Sequence, residues 1–423
     1  MPNTDKRPEG GDRPPASYHT PAVQKIHPAV CDAGLPSPPM DAQLQELIAK
    51  VRDAAAQGRL LRLRGGGTKD FWGAPLQGEV LDTRSYAGIV SYEPSELVVT
   101  ARCGTPLAEL EAALAEKGQA LAFEPPHFGP DATVGGMVAA GLSGPARASV
   151  GALRDFVLGV RLINGQGQDL TFGGQVMKNV AGYDVSRLLA GSWGTLGLIT
   201  EVSLKVLPVA PAEATLMCAG ISQKKALDLL HRWGGLPLPL NASAWVHDGT
   251  AEPGDDYLFV RLRGAVAAVE AAVTRMGDDA QALGARVLRM DPQEAAQDWR
   301  ASCEQTLPFF EPPGEDLCLW RLSVPQTAAV IDLPGAGAHA QYIEWQGAQR
   351  WLWAPAAAAT ALRQAAQAAG GHATVFRASR LGGSQDRQAA TGSLQGAVQQ
   401  RIARELQKQF DPQGVFATGR LGF

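Results

Sequence analysis

Cysteine is scarce and scattered in this chain: five residues among 423 (Cys31, Cys103, Cys218, Cys303 and Cys318), with no C-x-x-C pair. Structural zinc and iron–sulfur sites draw several cysteines from close positions in the sequence. The chain is therefore expected to hold no metal, and its thiols read as free groups of a reducing compartment. Long apolar runs are missing as well. No stretch approaches the roughly 18 residues that a bilayer-spanning helix needs, and the first forty residues contain no apolar segment of the kind a secretory leader carries. A cytoplasmic location is the expectation. Excess positive charge is absent too: 38 basic and 42 acidic side chains give a formal net charge of -4. That balance leaves no electrostatic footprint for nucleic acid. Two phosphate-binding signatures are also lacking. No Gly-Lys-Ser/Thr follows a glycine loop, which excludes a P-loop, and no G-x-G-x-x-G occurs, which excludes the nicotinamide fingerprint.

What is present is an ordinary globular composition, 45% hydrophobic and 19% charged, over a length that suits two or three domains. Residues 1–40 contain nine prolines and no hydrophobic period, and read as a disordered arm. Order is predicted to begin at Asp41, a helix N-cap, followed by Leu44, Leu47, Ile48 and Val51 on one helical face, with Gly58 closing the helix. Leu61 and Leu63 then alternate with Arg62 and Arg64 as in a strand, which runs straight into Gly65-Gly66-Gly67-Thr68. Thr105-Pro106 is predicted to open a second helix with Leu107, Leu110 and Leu114 as its buried stripe. From 212 to 290 the pattern reads strand, helix, strand, strand, helix, strand, as in a ferredoxin-like sandwich. Segments from 291 to 378 repeat something similar less clearly, and a last helix is expected near 393–409. The fold class is α+β, divided into 41–208, a cap at 209–378, and a tail at 379–423 that returns to the first part.

Three glycine-rich clusters carry the chemistry. In Arg64-Gly65-Gly66-Gly67-Thr68 three consecutive residues lack a Cβ, so backbone N–H groups can turn toward a ligand. Such a concave array of amides suits an anion, a pyrophosphate among others, although a glycine turn without any ligand reads the same way. The second cluster is Pro125-Pro126, Thr133-Val134-Gly135-Gly136 and Gly141-Leu142-Ser143-Gly144. The third is Lys178-Asn179-Val180-Ala181-Gly182-Tyr183-Asp184, then Gly191-Ser192-Trp193-Gly194-Thr195-Leu196-Gly197-Leu198-Ile199-Thr200.

In order and spacing these clusters resemble the PCMH-type FAD-binding domain of the vanillyl-alcohol-oxidase superfamily. The wording of the third cluster, with Gly371-His372-Ala373-Thr374 and the ending Phe410-Asp411-Pro412, is similar to FAD-binding subunits of glycolate oxidases. The resemblance covers residues 40–423. It implies a PCMH-type domain with a ferredoxin-like cap, and FAD held by Arg64, Gly65, Gly66, Gly67 and Thr68 at the pyrophosphate. Pro125, Thr133, Gly135, Gly136, Ser143, Gly197 and Ile199 would lie along the rest of the cofactor. Relatives with covalently attached flavin carry a histidine where this chain has Thr68, which implies noncovalent FAD.

The activity implied is oxidation of glycolate to glyoxylate within a complex that also contains a catalytic flavin subunit and an iron–sulfur subunit. The histidine-pair motif H-x-G-D-G-N-x-H of catalytic flavin subunits is absent here. Arg321 and Arg377 on expected strands are candidates to hold a substrate carboxylate, and His372 is a weaker candidate for proton transfer. Two alternatives stay open: a self-sufficient oxidase of another 2-hydroxy acid or sugar lactone, and a structural subunit without flavin. Trp345, Trp351 and Trp353 read as core at strand alternation, or else as a partner surface.

Overall fold

A computed structural model describes residues 41–174, 184–249, 254–333, 341–382, 386 and 396–421. The expected arm at 1–40 and the run Lys178 to Tyr183 of the third glycine cluster lie outside the described residues.

Helix α1 (Ala42–Gln57) begins where expected: the Asp41 carboxylate accepts the N–H of Gln43 at 3.1 Å, and Gly58 ends the helix in the left-handed region at φ 64°. Its stripe of Leu44, Leu47, Ile48, Val51 and Ala54 is buried. Each large side chain there contributes about 1.5–3 kcal/mol of burial. The stripe packs on β1 (Leu61–Arg64) and β2 (Glu79–Asp82), which pair in parallel, and on Val415 and Phe416 near the C-terminus.

A five-stranded antiparallel sheet follows, built from β3 (Ile89–Glu93), β4 (Val98–Arg102), β6 (Val157–Ile163), β7 (Asp169–Gly173) and β8 (Leu198–Lys205) in the order β3-β4-β8-β6-β7. The short strands β5 (Gln119–Ala120) and β9 (Leu207–Pro208) pair beside it. Helices α2 (Leu107–Ala115) and α3 (Val134–Ala140) share one apolar core with the sheet, and α4 (Arg147–Val150) and α5 (Val185–Leu189) are short. Helix α2 starts one residue later than the sequence suggests. Pro106 takes the cap position, because the Thr105 hydroxyl is engaged with the backbone oxygens of Arg102 (2.8 Å) and Gly88 (3.1 Å).

The second large sheet has eight strands: β10 (Ala212–Ala219), β11 (Leu240–Asp248), β12 (Asp255–Gly264), β13 (Arg286–Arg289), β14 (Leu317–Ser323), β15 (Gln341–Glu344), β16 (Gln349–Pro355) and β17 (His372–Arg377). Their order is β13-β10-β12-β11-β15-β16-β14-β17. The first four, with α6 (Gln223–Gly234) and α7 (Val266–Gln281), give the 4-1-3-2 arrangement of a ferredoxin-like half. The last four repeat that order, with α9 (Ala359–Ala368) before the final strand. The halves join where β11 pairs antiparallel with β15. Expectation and structure agree on this α+β arrangement.

One face of the eight-stranded sheet is covered by α6, α7 and α9. The other carries Trp351, Trp353, Tyr342 and Phe376, packed with α8 (Pro292–Glu304) and with Phe71, Trp72, Phe128 and Trp193 from the glycine-rich segments. Trp345, Trp351 and Trp353 are all buried, in agreement with the core reading. Charge also ties the sheet to the glycine-rich part. The buried Arg261 on β12 donates to both Glu124 oxygens at 2.6 and 2.8 Å, and the Glu304 carboxylate accepts the N–H groups of His127 and Phe128 at 2.9 and 2.6 Å. The last helix, α10 (Ala397–Phe410), lays Leu406 and Phe410 against the core of the five-stranded sheet. The Asp411 carboxylate then accepts from Val415 and Phe416 at 2.8 and 2.7 Å and turns the chain back to α1.

Candidate functional site

Strand β1 ends in the first glycine loop, and the loop forms the floor of a cleft enclosing about 880 Å³, its open mouth included. The cleft is lined by Gly65, Gly66, Gly67 and Thr68, by Thr133, Gly135 and Gly136 at the start of α3, by Trp193 and Gly194, and by Gly197 and Ile199 at the start of β8. Sequence positions more than 130 residues apart thus meet in one place. Among the described residues, the N–H groups of Gly66, Gly67 and Thr68 find no acceptor within the protein.

The glycines of the loop are required for a reason the sequence does not reveal. A Cβ on Gly65 would lie 2.3 Å from the Thr133 hydroxyl oxygen, and one on Gly66 would lie 1.6 Å from the backbone oxygen of Asp131. Both positions are pressed against the second cluster, and this contact leaves the amides free to face the cleft. Gly67 sits at φ 72°, where its missing side chain makes room for the Arg64 guanidinium. In the second cluster a Cβ on Gly135 would lie 2.6 Å from the Cys103 Cβ, while the Thr133 hydroxyl caps α3 by accepting the Gly136 N–H at 3.3 Å.

The lining is basic: Arg62, Arg64, Lys69 and Arg420 against the single acid Asp70. Arg64 pairs with Asp70 at 2.8 Å. Lys69 is buried, its ammonium bonded to the His127 carbonyl at 3.1 Å, and burial lowers its pKa to about 8 despite the nearby Glu304. Trp193 lines the cleft as an aromatic wall, backed by Trp72 stacked on it with centroids 4.0 Å apart and with the Arg420 guanidinium over it. Unsatisfied amides, surplus positive charge and a flat aromatic wall suit a dinucleotide that has a pyrophosphate and a planar ring. The Cys103 thiol also lines the cleft, but burial pushes its pKa up to about 12, which leaves it protonated and unreactive.

A second, smaller pocket of about 460 Å³ opens at the far end of α3, between Gly141–Pro145 and the eight-stranded sheet. Ser143 lines this pocket rather than the cleft, and its hydroxyl accepts the Leu153 N–H at 3.0 Å. Arg321 lies here, over the Phe376 ring. Desolvation lowers its pKa to about 10. Glu344 faces it, buried, accepting hydrogen bonds from the Gln349 amide and from the Trp351 indole at 2.8 Å. Burial raises the Glu344 pKa to about 7 in spite of those bonds and of Arg321.

The remaining expected residues fall elsewhere. Pro125 is buried but lines neither cavity. Arg377 stacks its guanidinium on Phe71 (5.2 Å) and Phe128 (5.6 Å), a packing position between the two parts. His372 is exposed at the first position of β17, opposite Ser323. The sequence reading missed Lys69, Arg420, Glu304 and Glu344. Lys69 directly follows the glycine loop and was within reach of it, whereas Glu344 has no local signal.

Comparison with known proteins resolves the ancestry of this arrangement. Residues 42–184 match the model of the FAD binding domain family. Over 377 residues the chain is 43% identical to glycolate oxidase subunit GlcE of Escherichia coli K12, covering 89% of this chain and 97% of that one. The chain belongs to the GlcE family. It is thereby an FAD-dependent oxidoreductase subunit by family, as the glycine clusters led us to expect. Glycolate oxidase subunit GlcD of Bacillus subtilis is 32% identical over 157 residues, 36% of this chain and 33% of that protein. Among solved structures, p-cresol methylhydroxylase superposes with a TM-score of 0.66 at 12% identity over 90% of this chain and 87% of that one, a likeness of fold alone. No helix among the described residues is long and apolar enough to cross a membrane, and none of their acidic, histidine and cysteine side chains cluster as metal ligands would.

Proposed function

We propose that this chain is the FAD-binding subunit of a glycolate oxidase, that its FAD is noncovalent, and that it works in the cytoplasm beside a catalytic flavin subunit and an iron–sulfur subunit. The observation that carries the reading is the basic cleft with three unpartnered amides, in a chain related to GlcE over nearly its whole length. Gly66, Gly67 and Thr68 would hold the pyrophosphate through their N–H groups, with Arg64 and Arg420 supplying positive charge. Gly65, Thr133, Gly135 and Gly136 shape the wall beside it, and Gly197 and Ile199 line the inner end. Bound FAD supplies a hydride-accepting ring. Noncovalent attachment is supported by Thr68 at the position of the histidine in covalently flavinylated relatives, and by the protonated state of Cys103. The division into 41–208, 209–378 and a returning tail from 379 belongs to the same proposal.

The test is the visible absorption spectrum of the chain purified alone, then repeated on the filtrate after denaturation. Yellow protein that releases FAD into the filtrate is the expected result. Flavin that stays with the denatured chain would refute noncovalent attachment. A colourless chain that does not take up added FAD would refute the cofactor site.

A further inference from the structure

Lys69 directly follows the glycine loop and lines the cleft, yet the fold gives its charge no partner. The residue is only 8% exposed. Its ammonium donates to two neutral oxygens, the His127 carbonyl at 3.1 Å and the Thr68 hydroxyl at 3.3 Å, and lies 5.4 Å from the centre of the Phe128 ring. An ammonium has three hydrogens to donate, so one is left over. Among the described residues Lys69 forms no ion pair. The carboxylate that acts on it most, Glu304 at the end of α8, has both oxygens engaged by the N–H groups of His127 and Phe128. A buried ammonium without a counter-ion gives up its proton more readily than one in water.

The unpaired amine stands beside unpaired donors. The N–H groups of Gly66, Gly67 and Thr68 also find no acceptor among the described residues. Four consecutive residues thus bring three free amides and one buried amine to the same wall of the cleft. The complement of such a set is an anion with several acceptor oxygens. We propose that Lys69 is the charge partner of the FAD diphosphate, and that the chain takes up one proton from solvent, onto this amine, as it takes up the cofactor. The inference rests on the flavin reading above and adds to it a binding residue and a proton. Oxidised FAD carries its charge near neutrality on the diphosphate alone, so the diphosphate is what holds the proton on Lys69. Empty, the chain is spared a buried charge without a counter-ion; filled, it has both members of an ion pair.

The groups packed around Lys69 do not supply the missing charge. His127 is bonded through Nε2 to Glu111 of α2 at 2.9 Å, and that carboxylate raises its pKa. Cys303 of α8 is held protonated by desolvation. Asp70 faces Arg64 at 2.8 Å and Arg420 at 3.8 Å. Arg377 of β17 shares the Phe128 ring with Lys69 and adds a like charge. Burial thus prevails over Glu304, and the Lys69 pKa falls to about 8 in the empty chain. Below that value the amine is already charged and the cofactor binds without a proton. Above it each pH unit weakens binding about tenfold, until the pKa of the filled site is reached.

The experiment is calorimetric titration of the deflavinated full chain with FAD at pH 7 and pH 9, each in two buffers of different ionisation enthalpy, which counts the protons taken up. Uptake should be about 0.1 proton at pH 7 and about 0.9 at pH 9, with affinity about tenfold lower at pH 9. Lys69→Gln should weaken FAD binding at least about tenfold at pH 7 and take up no proton at pH 9. Lys69→Arg carries a charge that does not titrate in this range. It should recover part of the pH 7 affinity, again with no uptake at pH 9, and it guards against misfolding of the first variant. Absence of uptake by the unaltered chain at pH 9, or equal uptake by Lys69→Gln, would overturn the inference. FAD bound without a proton sinks this inference alone. A chain that binds no FAD at either pH sinks the flavin reading and this inference with it.

Discussion

Alanine at Gly66 should abolish FAD retention in a way that no neighbouring side-chain change can repair, whereas alanine at Gly65 should be partly repairable. The difference lies in what each new methyl group meets. At Gly66 the nearest atom is the Asp131 backbone oxygen at 1.6 Å, so the loop itself must move. At Gly65 the obstruction is the Thr133 side chain, with its hydroxyl oxygen at 2.3 Å and its carbons no nearer than 3.3 Å. A displaced loop misaims the amides of Gly66, Gly67 and Thr68. Losing two hydrogen bonds to a charged pyrophosphate, at about 1.5–3 kcal/mol each, gives about 3–6 kcal/mol, or a factor of roughly 10² to 10⁴ in Kd. The assay is fluorescence titration of the deflavinated chain with FAD, for Gly66→Ala, Gly65→Ala, Gly65→Ala with Thr133→Ala, and the control Gly118→Ala. Gly118 has φ 64° with nothing near a Cβ, so the control should cost only about 1 kcal/mol of stability and leave FAD binding intact. The double variant should bind FAD better than Gly65→Ala alone, even though loss of the α3 cap costs about 1 kcal/mol of stability. Wild-type affinity in Gly66→Ala would refute the assignment of the loop, and failure of Thr133→Ala to help would refute the account of Gly65.

Glu124→Ala leaves Arg261 buried without its carboxylate and should lower unfolding stability by about 3–5 kcal/mol, read from denaturant midpoints at a constant slope. Burial raises the Glu344 pKa from 4.5 to about 7, so the native state keeps a proton that the unfolded chain gives up over that window. The associated stability is fully present below pH 4.5 and lost as pH rises through 7, and Glu344→Gln should flatten that part of the stability profile. Lys69 has the opposite behaviour: its native pKa of about 8 lies below the ordinary lysine value of 10.5, so the native state binds fewer protons between these values. Stability should rise with pH across that interval and cease to do so in Lys69→Met.

Local chemistry was legible in the sequence, and long-range pairing was not. The Asp41 cap, the stripe of α1, its Gly58 terminus and the strand running into the glycine loop are all set by neighbours within a few residues, and they stand where they were expected. The same holds for the helix-and-strand order of the cap, because period and punctuation suffice for it. Thr105 was misjudged by one position because its hydroxyl answers to Gly88, seventeen residues away. The glycines of the first loop were placed in the right site with an incomplete reason. Asp131 and Thr133 determine why Gly65 and Gly66 must lack side chains, and nothing near the loop in sequence announces them. Glu344 was invisible for the same cause: its significance comes from Arg321, Gln305 and Gln349, which only the register of β14, β15 and β16 and the placement of α8 bring around it.

The seam between β11 and β15 consists of three residue pairs, Ala244 with Glu344, Trp245 with Ile343 and Val246 with Tyr342. Within each half, every strand's partners are dictated by that half's own 4-1-3-2 plan. At the seam alone the two plans meet, and neither dictates what its residues must be. Ala244 and Glu344 stand face to face there, the smallest side chain beside the most perturbed carboxylate. A sheet assembled from two like modules thus has, at its midline, one row in which a residue can be given up to make room and its opposite number can be a buried carboxylate, while both modules go on folding by their own rules.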